Sequence, residues 1–230
     1  MPRPPRIAIG GIVYHVLNRA NGRMSLFETP SDYEAFMKVC MEANERVPMR
    51  TLSYCVMPNH WHFVLWPLND GDLSEFVGWL TLTHTQRWHA AHGTVGMGHI
   101  YQGRFKSFPV QEDGHFLTVC RYVERNPLRA GLVERAEAWQ WSSLSRQGIE
   151  GRGLLGPMLT DWPVARPANR ASWVNEPLTE AELNAVRHSI KCGAPYGAGE
   201  WATRTAERLG LDITPRPRGR PRKKVSGTFF

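Results

Sequence analysis

Two histidines separated by one residue, His60 and His62, are the first side chains in the sequence that could do chemistry together. On a β-strand, residues two apart point to the same face, so both imidazoles would project together while Trp61 points to the other face. Two imidazoles placed in this way can chelate one metal ion, and we expect them to face a groove rather than the core. The alternative is a pair of half-buried sheet histidines that bind no ligand.

A tyrosine and an asparagine, Tyr122 and Asn126, form a second pair with a functional spacing. Residues four apart lie one turn apart on the same side of a helix, and this pair flanks a predicted apolar stripe. The tyrosine could equally be a boundary residue with its ring against the core and its hydroxyl in water. Tyr101 offers a similar hydroxyl, but it precedes a Gln-Gly turn and has no ligand-type residue four positions further on.

The C-terminal tail carries almost all of the excess positive charge. Of the 28 lysines and arginines, the last six leave 22 upstream against 21 acidic residues, although the whole chain has a formal charge of +7. The six are Arg216, Arg218, Arg220, Arg222, Lys223 and Lys224. This pattern predicts a polyanionic partner, with nucleic acid the leading candidate. The Arg-Gly-Arg-Pro core at 218–221 is typical of an AT-hook-like element that lays arginines in a narrow minor groove, and the alternative is a generic solvated polycation.

The elements that must position these residues follow the order β-α-β-β-α-β-α. Strands are predicted at 11–19, 50–57, 60–66 and 104–110, with a Pro58-Asn59 break between the second and third that indicates a hairpin or a bulged strand. Helices are predicted at 32–46, at 73–91 and between Asp113 and Pro127, with Ser31 as the N-cap of the first and Asp113 as the N-cap of the third. This order predicts an α+β fold with helices covering one antiparallel sheet. A Pro-rich loop and two shorter helices, near 179–191 and 199–209, follow.

Composition excludes several classes of protein. With 42% hydrophobic residues, the 230-residue chain can bury a core, so wholesale disorder is not expected. The four cysteines form no CxxC pair, which argues against a zinc ribbon and a disulfide framework. The uncharged run at 51–69 contains proline, asparagine and two histidines, so a membrane span is not expected, and the N-terminus lacks a signal-peptide cleavage pattern. We therefore expect a cytoplasmic, nucleoid-associated protein without a membrane partner.

Several blocks resemble the REP-associated tyrosine transposases, a branch of the IS200-like, single-tyrosine HUH transposases. The segment PNHWHFVLW resembles their His-hydrophobe-His strand, and RYVERNPLRAGLV resembles their nucleophile helix. GIVYHVLNRANGRMSLF, YQGRFKS, WQWSS and the tail LGLDITPRPRGRPRK resemble other blocks of that branch. The resemblance covers roughly residues 7–145 in order. One departure is Trp61, which is bulkier than the valine or isoleucine usual between the histidines and puts the local sheet packing in question.

The resemblance implies a ferredoxin-like antiparallel sheet and a role for each residue of the two motifs. His60 and His62 would be metal ligands, Asn126 the third ligand and Tyr122 the nucleophile. The mixed nitrogen and oxygen ligands and a phosphate substrate fit Mg²⁺ or Mn²⁺, and zinc would also bind imidazole. The implied activity is cleavage and rejoining of single-stranded DNA at hairpin-forming repeats through a 5′-phosphotyrosine link. The alternative is a catalytically silent DNA-binding regulator of the same fold.

Three polar residues of the YQGRFKS block, Gln102, Arg104 and Lys106, are candidates for contact with DNA phosphates, although structural salt bridges would explain them equally well. We expect a catalytic domain over 1–147, a linker over 148–177, a small helical unit over 178–211 and a basic tail over 212–230. The expected partner is single-stranded and hairpin DNA, and the chain would act as a monomer or a homodimer.

Overall fold

A computed structural model of the chain describes residues 8–146 and 156–211. Its centre is a four-stranded antiparallel sheet with the spatial order β2-β3-β1-β4. The strands are β1 (Val13–Arg19), β2 (Met49–Met57), β3 (His60–Pro67) and β4 (Lys106–Val110). Pro58 and Asn59 form the two-residue turn between β2 and β3. With the helices described below, this sheet confirms the predicted α+β, ferredoxin-like fold class.

Two long helices, α1 (Pro30–Arg46) and α2 (Asp72–Ala91), cover one face of the sheet. Their apolar sides pack on the aromatic side chains that β2 and β3 direct to this face, Tyr54, Trp61 and Phe63. The predicted N-cap of α1 is wrong by two residues, because Thr29 rather than Ser31 caps the helix. Thr29 forms a capping box with the Asp32 carboxylate, and a proline is favoured at the first helical position.

The other face of the sheet is covered by α3 (Gly114–Glu124) and a short helical turn, α4 (Asn126–Arg129). The side chain of Asp113 accepts a hydrogen bond from the backbone N–H of His115 (2.8 Å), as expected for the predicted N-cap. The helix ends before Pro127, and the chain continues directly into α4. Tyr122 and Asn126 therefore lie on either side of this junction.

Three further helices follow, α5 (Arg170–Asn175), α6 (Glu180–Cys192) and α7 (Gly199–Arg208). The helices α6 and α7 match the predicted pair closely, whereas α5 lies within the segment expected to be a linker. It has a structural role, because Arg170 donates hydrogen bonds to the buried carboxylate of Glu124 on α3. The C-terminal segment is thus tied to the helix that carries Tyr122.

Loop segments cover parts of both outer strands of the sheet. Backbone hydrogen bonds join Val56 to Trp141 and Ser143 to Tyr54 along β2, and Tyr196 to Pro109 along β4. These bonds satisfy backbone groups that an edge strand would otherwise expose. Within the two described stretches, no helix has the length and apolar character needed to cross a membrane.

Candidate functional site

The strand β3 sends its two histidines to the face of the sheet that α3 covers. His62 lies opposite Leu17 of β1 and Cys55 of β2, and the rings of His60 and His62 are 5.0 Å apart, centre to centre. Trp61 points to the opposite face, where it is fully buried beside Phe36. The strand periodicity therefore predicted the faces correctly, and the larger core on that side accommodates the bulk of Trp61.

The two histidines differ in burial. His60 is partly exposed, but His62 is only 3% exposed, so it does not face an open groove as expected from the sequence. The reason is the close packing of α3 and β1 around it, because the rings of Tyr122 and His15 lie 5.9 Å and 5.1 Å from the His62 ring. A ligand would reach His62 from the His60 side.

Tyr122 lies on α3 with its ring edge-on to His62, and its side chain is 6% exposed. The guanidinium carbon of Arg129 lies 4.6 Å from the centre of the Tyr122 ring, in cation–π geometry. The structure thus brings Tyr122 and the histidine pair together from α3 and β3, two elements that are distant in sequence.

The side chain of Asn126 has a defined orientation at the α3–α4 junction. Its amide nitrogen donates to the backbone oxygens of Tyr122 (3.2 Å) and Val123 (3.3 Å). Its oxygen Oδ1 accepts a hydrogen bond from Arg129. The amide oxygen, which is the atom a metal ion would use, is therefore turned away from the helix backbone and towards Arg129.

Tyr101 lies on the other side of the sheet, away from the histidine pair. Its hydroxyl accepts a hydrogen bond from Nε1 of Trp61 (3.0 Å) and is 2.8 Å from Nδ1 of His84. Burial raises the pKa of Tyr101 above its ordinary value. Tyr101 is therefore a core residue, and only Tyr122 of these two tyrosines is near His60 and His62.

Burial keeps the histidines of the site neutral at pH 7. It lowers the pKa of His60 to about 4, and the nearby charges of Arg19 and Arg129 lower it further. Burial also lowers the pKa of His62 well below its ordinary value. Neutral imidazole is the form that binds metal ions, since the ring then has one nitrogen with a free lone pair.

The hydrogen bonds of the two rings engage the same nitrogen of each, Nδ1. Nδ1 of His60 is 2.6 Å from Oδ1 of Asn59, and Nδ1 of His62 is 2.9 Å from Nε2 of His15. Both Nε2 atoms are thus the candidate donors. In residues 8–146 and 156–211, no group of three His, Cys, Asp or Glu side chains is placed to hold a metal ion. An amide oxygen such as that of Asn126 would have to complete a set of three protein ligands, and this donor set fits a divalent cation.

The predicted DNA contacts lie in different places. Lys106 pairs with Leu17 on the histidine face of the sheet and is exposed. The backbone N–H of Gln102 donates to the backbone oxygen of Arg19 (2.8 Å), close to the His60 end of β3. Arg104 and Lys106 both line a groove between β4 and the ends of α6 and α7. The four predicted tail residues, Arg216, Arg218, Arg220 and Arg222, lie outside the described residues.

Sequence reasoning missed three residues that surround the histidine pair: His15, Arg19 and Arg129. His15 and Arg19 lie on β1 at even spacing, so they share a face. The alternation in the YHVLNR segment could have indicated this face. Identifying the strand that lies beside β1 required the register of the sheet. Arg129 could have been found from its position three residues after Asn126, which places it on the same side of a helix.

Comparisons with known proteins bear on the family and the fold of this chain. Residues 8–126 match the family model described as "Transposase IS200 like". A protein of Haemophilus influenzae that carries the name REP-associated tyrosine transposase is 24% identical over 125 residues, which cover 50% of this chain and 71% of the relative. A solved structure of a REP-associated tyrosine transposase bound to a REP hairpin is similar in fold, with a TM-score of 0.53 and 20% identity. That likeness covers 70% of this chain and 94% of the solved chain.

Proposed function

This chain belongs to the IS200-like transposase family, and we propose that it cleaves and rejoins single-stranded DNA with Tyr122 as the nucleophile. The observation that carries the proposal is the packing of the Tyr122 ring 5.9 Å from His62, with His60 on the open side of the same face. A nucleophile beside two neutral imidazoles is an arrangement that suits metal-assisted phosphoryl transfer.

The reaction begins with attack of the Tyr122 oxygen on the phosphorus of one DNA linkage. The phenol proton passes to solvent, a bond forms between the tyrosine oxygen and phosphorus, the bond from phosphorus to the 3′-oxygen breaks, and the departing 3′-oxygen takes up a proton. The products are a 5′-phosphotyrosine and a free 3′-hydroxyl, and the reverse attack rejoins a strand without an external energy source. An ordinary phenol is about one part in a thousand ionised at pH 7, which costs roughly 4 kcal/mol of activation.

The residues that would hold the metal ion, Mg²⁺ or Mn²⁺, are His60, His62 and Asn126. When bound, such an ion polarises the scissile phosphate and stabilises charge on the departing oxygen. Holding the histidines neutral by burial keeps their lone pairs available at physiological pH.

Two arginines next to the histidine pair suit the binding of the substrate phosphate. Both Arg19 and Arg129 are close enough to His60 to affect its pKa, and both are exposed. Arg129 also lies over the Tyr122 ring, so a phosphate bound by its guanidinium would be near the attacking oxygen. Lys106, Gln102 and Arg104 would extend this contact along the DNA backbone.

We propose hairpin DNA with single-stranded flanks as the substrate, acted on in the cytoplasm at the nucleoid. The similar solved structure is described as bound to a REP hairpin, and single-stranded flanks leave the scissile phosphate free to enter the site. Arginines at 216–222 would add contacts to phosphates or to the minor groove of the hairpin stem.

The test is formation of a covalent protein–DNA adduct. Incubation with a hairpin oligonucleotide and Mn²⁺ should give a band that survives a denaturing gel, and Tyr122→Phe should give none. Tyr101→Phe is the matched control, because it removes the same atom from the opposite side of the sheet, and it should keep the adduct. DNA binding without any adduct, in the presence of Mg²⁺ or Mn²⁺, would instead identify a catalytically silent DNA-binding regulator.

A further inference from the structure

His15 is a fully buried histidine on β1 whose contact with His62 has no part in the reaction as described so far. Its Nε2 lies 2.9 Å from Nδ1 of His62, and its ring packs on Phe108 at 4.8 Å. Its other nitrogen, Nδ1, is buried and has no hydrogen-bond partner among the described residues. This nitrogen stays without a partner whichever tautomer His15 adopts, so the contact with His62 is the one hydrogen bond of the ring among the described residues.

One proton is shared between the two rings, and its location decides whether His62 can bind a metal ion. If His15 donates from Nε2, then His62 carries its own proton on its Nε2 and offers no lone pair there. If His62 donates from Nδ1, its Nε2 is free to act as a ligand, and His15 carries its proton on the unpartnered Nδ1. A single proton between two ring nitrogens 2.9 Å apart belongs to one ring or the other, so these are the two arrangements of the contact.

The geometry points to His15 as a positioning residue: it accepts the hydrogen bond from Nδ1 of His62 and thereby holds Nε2 of His62 ready to bind the metal ion. This inference rests on the proposed function, since it assigns a role towards the metal ion in that reaction. Ligating histidines are generally fixed in this way by an acceptor behind the ring.

The comparison with His60 supports this assignment. His60 has an acceptor behind its ring as well, because Oδ1 of Asn59 can only accept a hydrogen bond from Nδ1. Asn59 can do this at the partly exposed turn, where water also reaches the ring. His62 is buried, so water cannot replace a missing acceptor, and the only polar group within hydrogen-bond distance of its Nδ1 among the described residues is His15.

The tautomer can be read directly in the metal-free protein. Long-range ¹H–¹⁵N spectra of histidine-labelled protein at pH 7 distinguish a protonated ring nitrogen from a bare one. The proposal predicts protonated Nδ1 and bare Nε2 in both His62 and His15. A protonated Nε2 in His62 would overturn it, and this measurement requires neither a variant nor activity.

A matched pair of variants tests the consequence for metal binding. Glutamine and methionine have almost the same shape, but the amide oxygen of glutamine is a good hydrogen-bond acceptor near the position of Nε2, whereas the methionine sulfur is a weak one. We expect His15→Met to weaken Mn²⁺ binding, measured by calorimetry, about 10–100-fold, and His15→Gln to retain most of the affinity. Equal weakening in both variants, with thermal unfolding midpoints that match each other, would mean that His15 only fills space.

Failure of this inference can be told apart from failure of the proposed function. If the unmodified protein neither binds Mn²⁺ nor forms the adduct, the proposed function fails, whatever the tautomer of His62. If it binds Mn²⁺ and forms the adduct but His62 carries its proton on Nε2 in the metal-free state, only the role of His15 is wrong.

Discussion

Replacing Arg170 by methionine is expected to destabilise the fold by breaking the ion pair with Glu124. Both side chains are almost completely buried, with 2% and 0% exposure. Ser53 and Ser143 also donate hydrogen bonds to the Glu124 carboxylate, but they carry no charge. Removing one partner of a buried ion pair costs about 3–5 kcal/mol. At about 2–4 °C per kcal/mol for a chain of this size, the unfolding midpoint should fall by about 6–20 °C.

The matched control for this change is Arg166→Met. Arg166 also lies over the ring of Trp162, with its guanidinium carbon 5.2 Å from the ring centre against 4.4 Å for Arg170, but Arg166 is exposed. Its replacement is therefore expected to lower the free energy of unfolding by well under 1 kcal/mol. Unfolding in urea would measure both free energies. Adding Glu124→Met to Arg170→Met should recover a large part of the loss, because no buried charge then lacks its partner. A loss below about 1 kcal/mol for Arg170→Met would refute this reasoning.

Three other predictions concern the metal site, the tail and acid stability. His60→Ala should abolish cleavage and leave the fold intact, because His60 is partly exposed. Asn126→Ala should weaken Mn²⁺ binding less than His60→Ala does. Mn²⁺ binding that is unchanged in both variants, measured by calorimetry, would show that these residues do not form a metal site. Deletion of residues 213–230 should lower the slope of log affinity against log salt by up to about 5 without abolishing cleavage, and an unchanged slope would exclude the tail from DNA binding. Burial lowers the pKa of His84 to about 3, so an unfolded chain takes up a proton there below about pH 6.5 that the folded chain excludes. The free energy of unfolding should therefore fall as pH drops from 6.5 towards 3, by up to about 1.4 kcal/mol per pH unit from this group. His84→Asn should reduce that slope, whereas His99→Asn, at an exposed position, should not.

The fold could be predicted from the sequence because its signals are local. The Pro58-Asn59 break, the Asp113 cap and the apolar spacing of α2 each depend on a few neighbouring residues. The predicted N-cap of α1 was wrong because a threonine and a serine both occur near the start of the helix. The Asp32 carboxylate accepts hydrogen bonds from the backbone N–H and the hydroxyl of Thr29, and this contact decides the cap.

The candidate site was only partly predictable for the opposite reason. The relation of His60 to His62, and of Tyr122 to Asn126, is set within one strand and one helix junction. The contact of His15 with His62 depends on the register of β1 against β3, which no local pattern specifies. The burial of His62 and the link from Arg170 to Glu124 likewise depend on how distant segments pack. Such contacts require the three-dimensional structure.

The most direct test of the central claim is mass spectrometry of the covalent adduct. The hairpin oligonucleotide is incubated with the protein and Mn²⁺, the adduct is digested with nuclease and protease, and the peptide that retains a nucleotide is sequenced. The proposed function predicts a single modified residue, Tyr122, linked through a 5′-phosphate. A nucleotide attached to any peptide that lacks Tyr122 would contradict the assignment of the nucleophile.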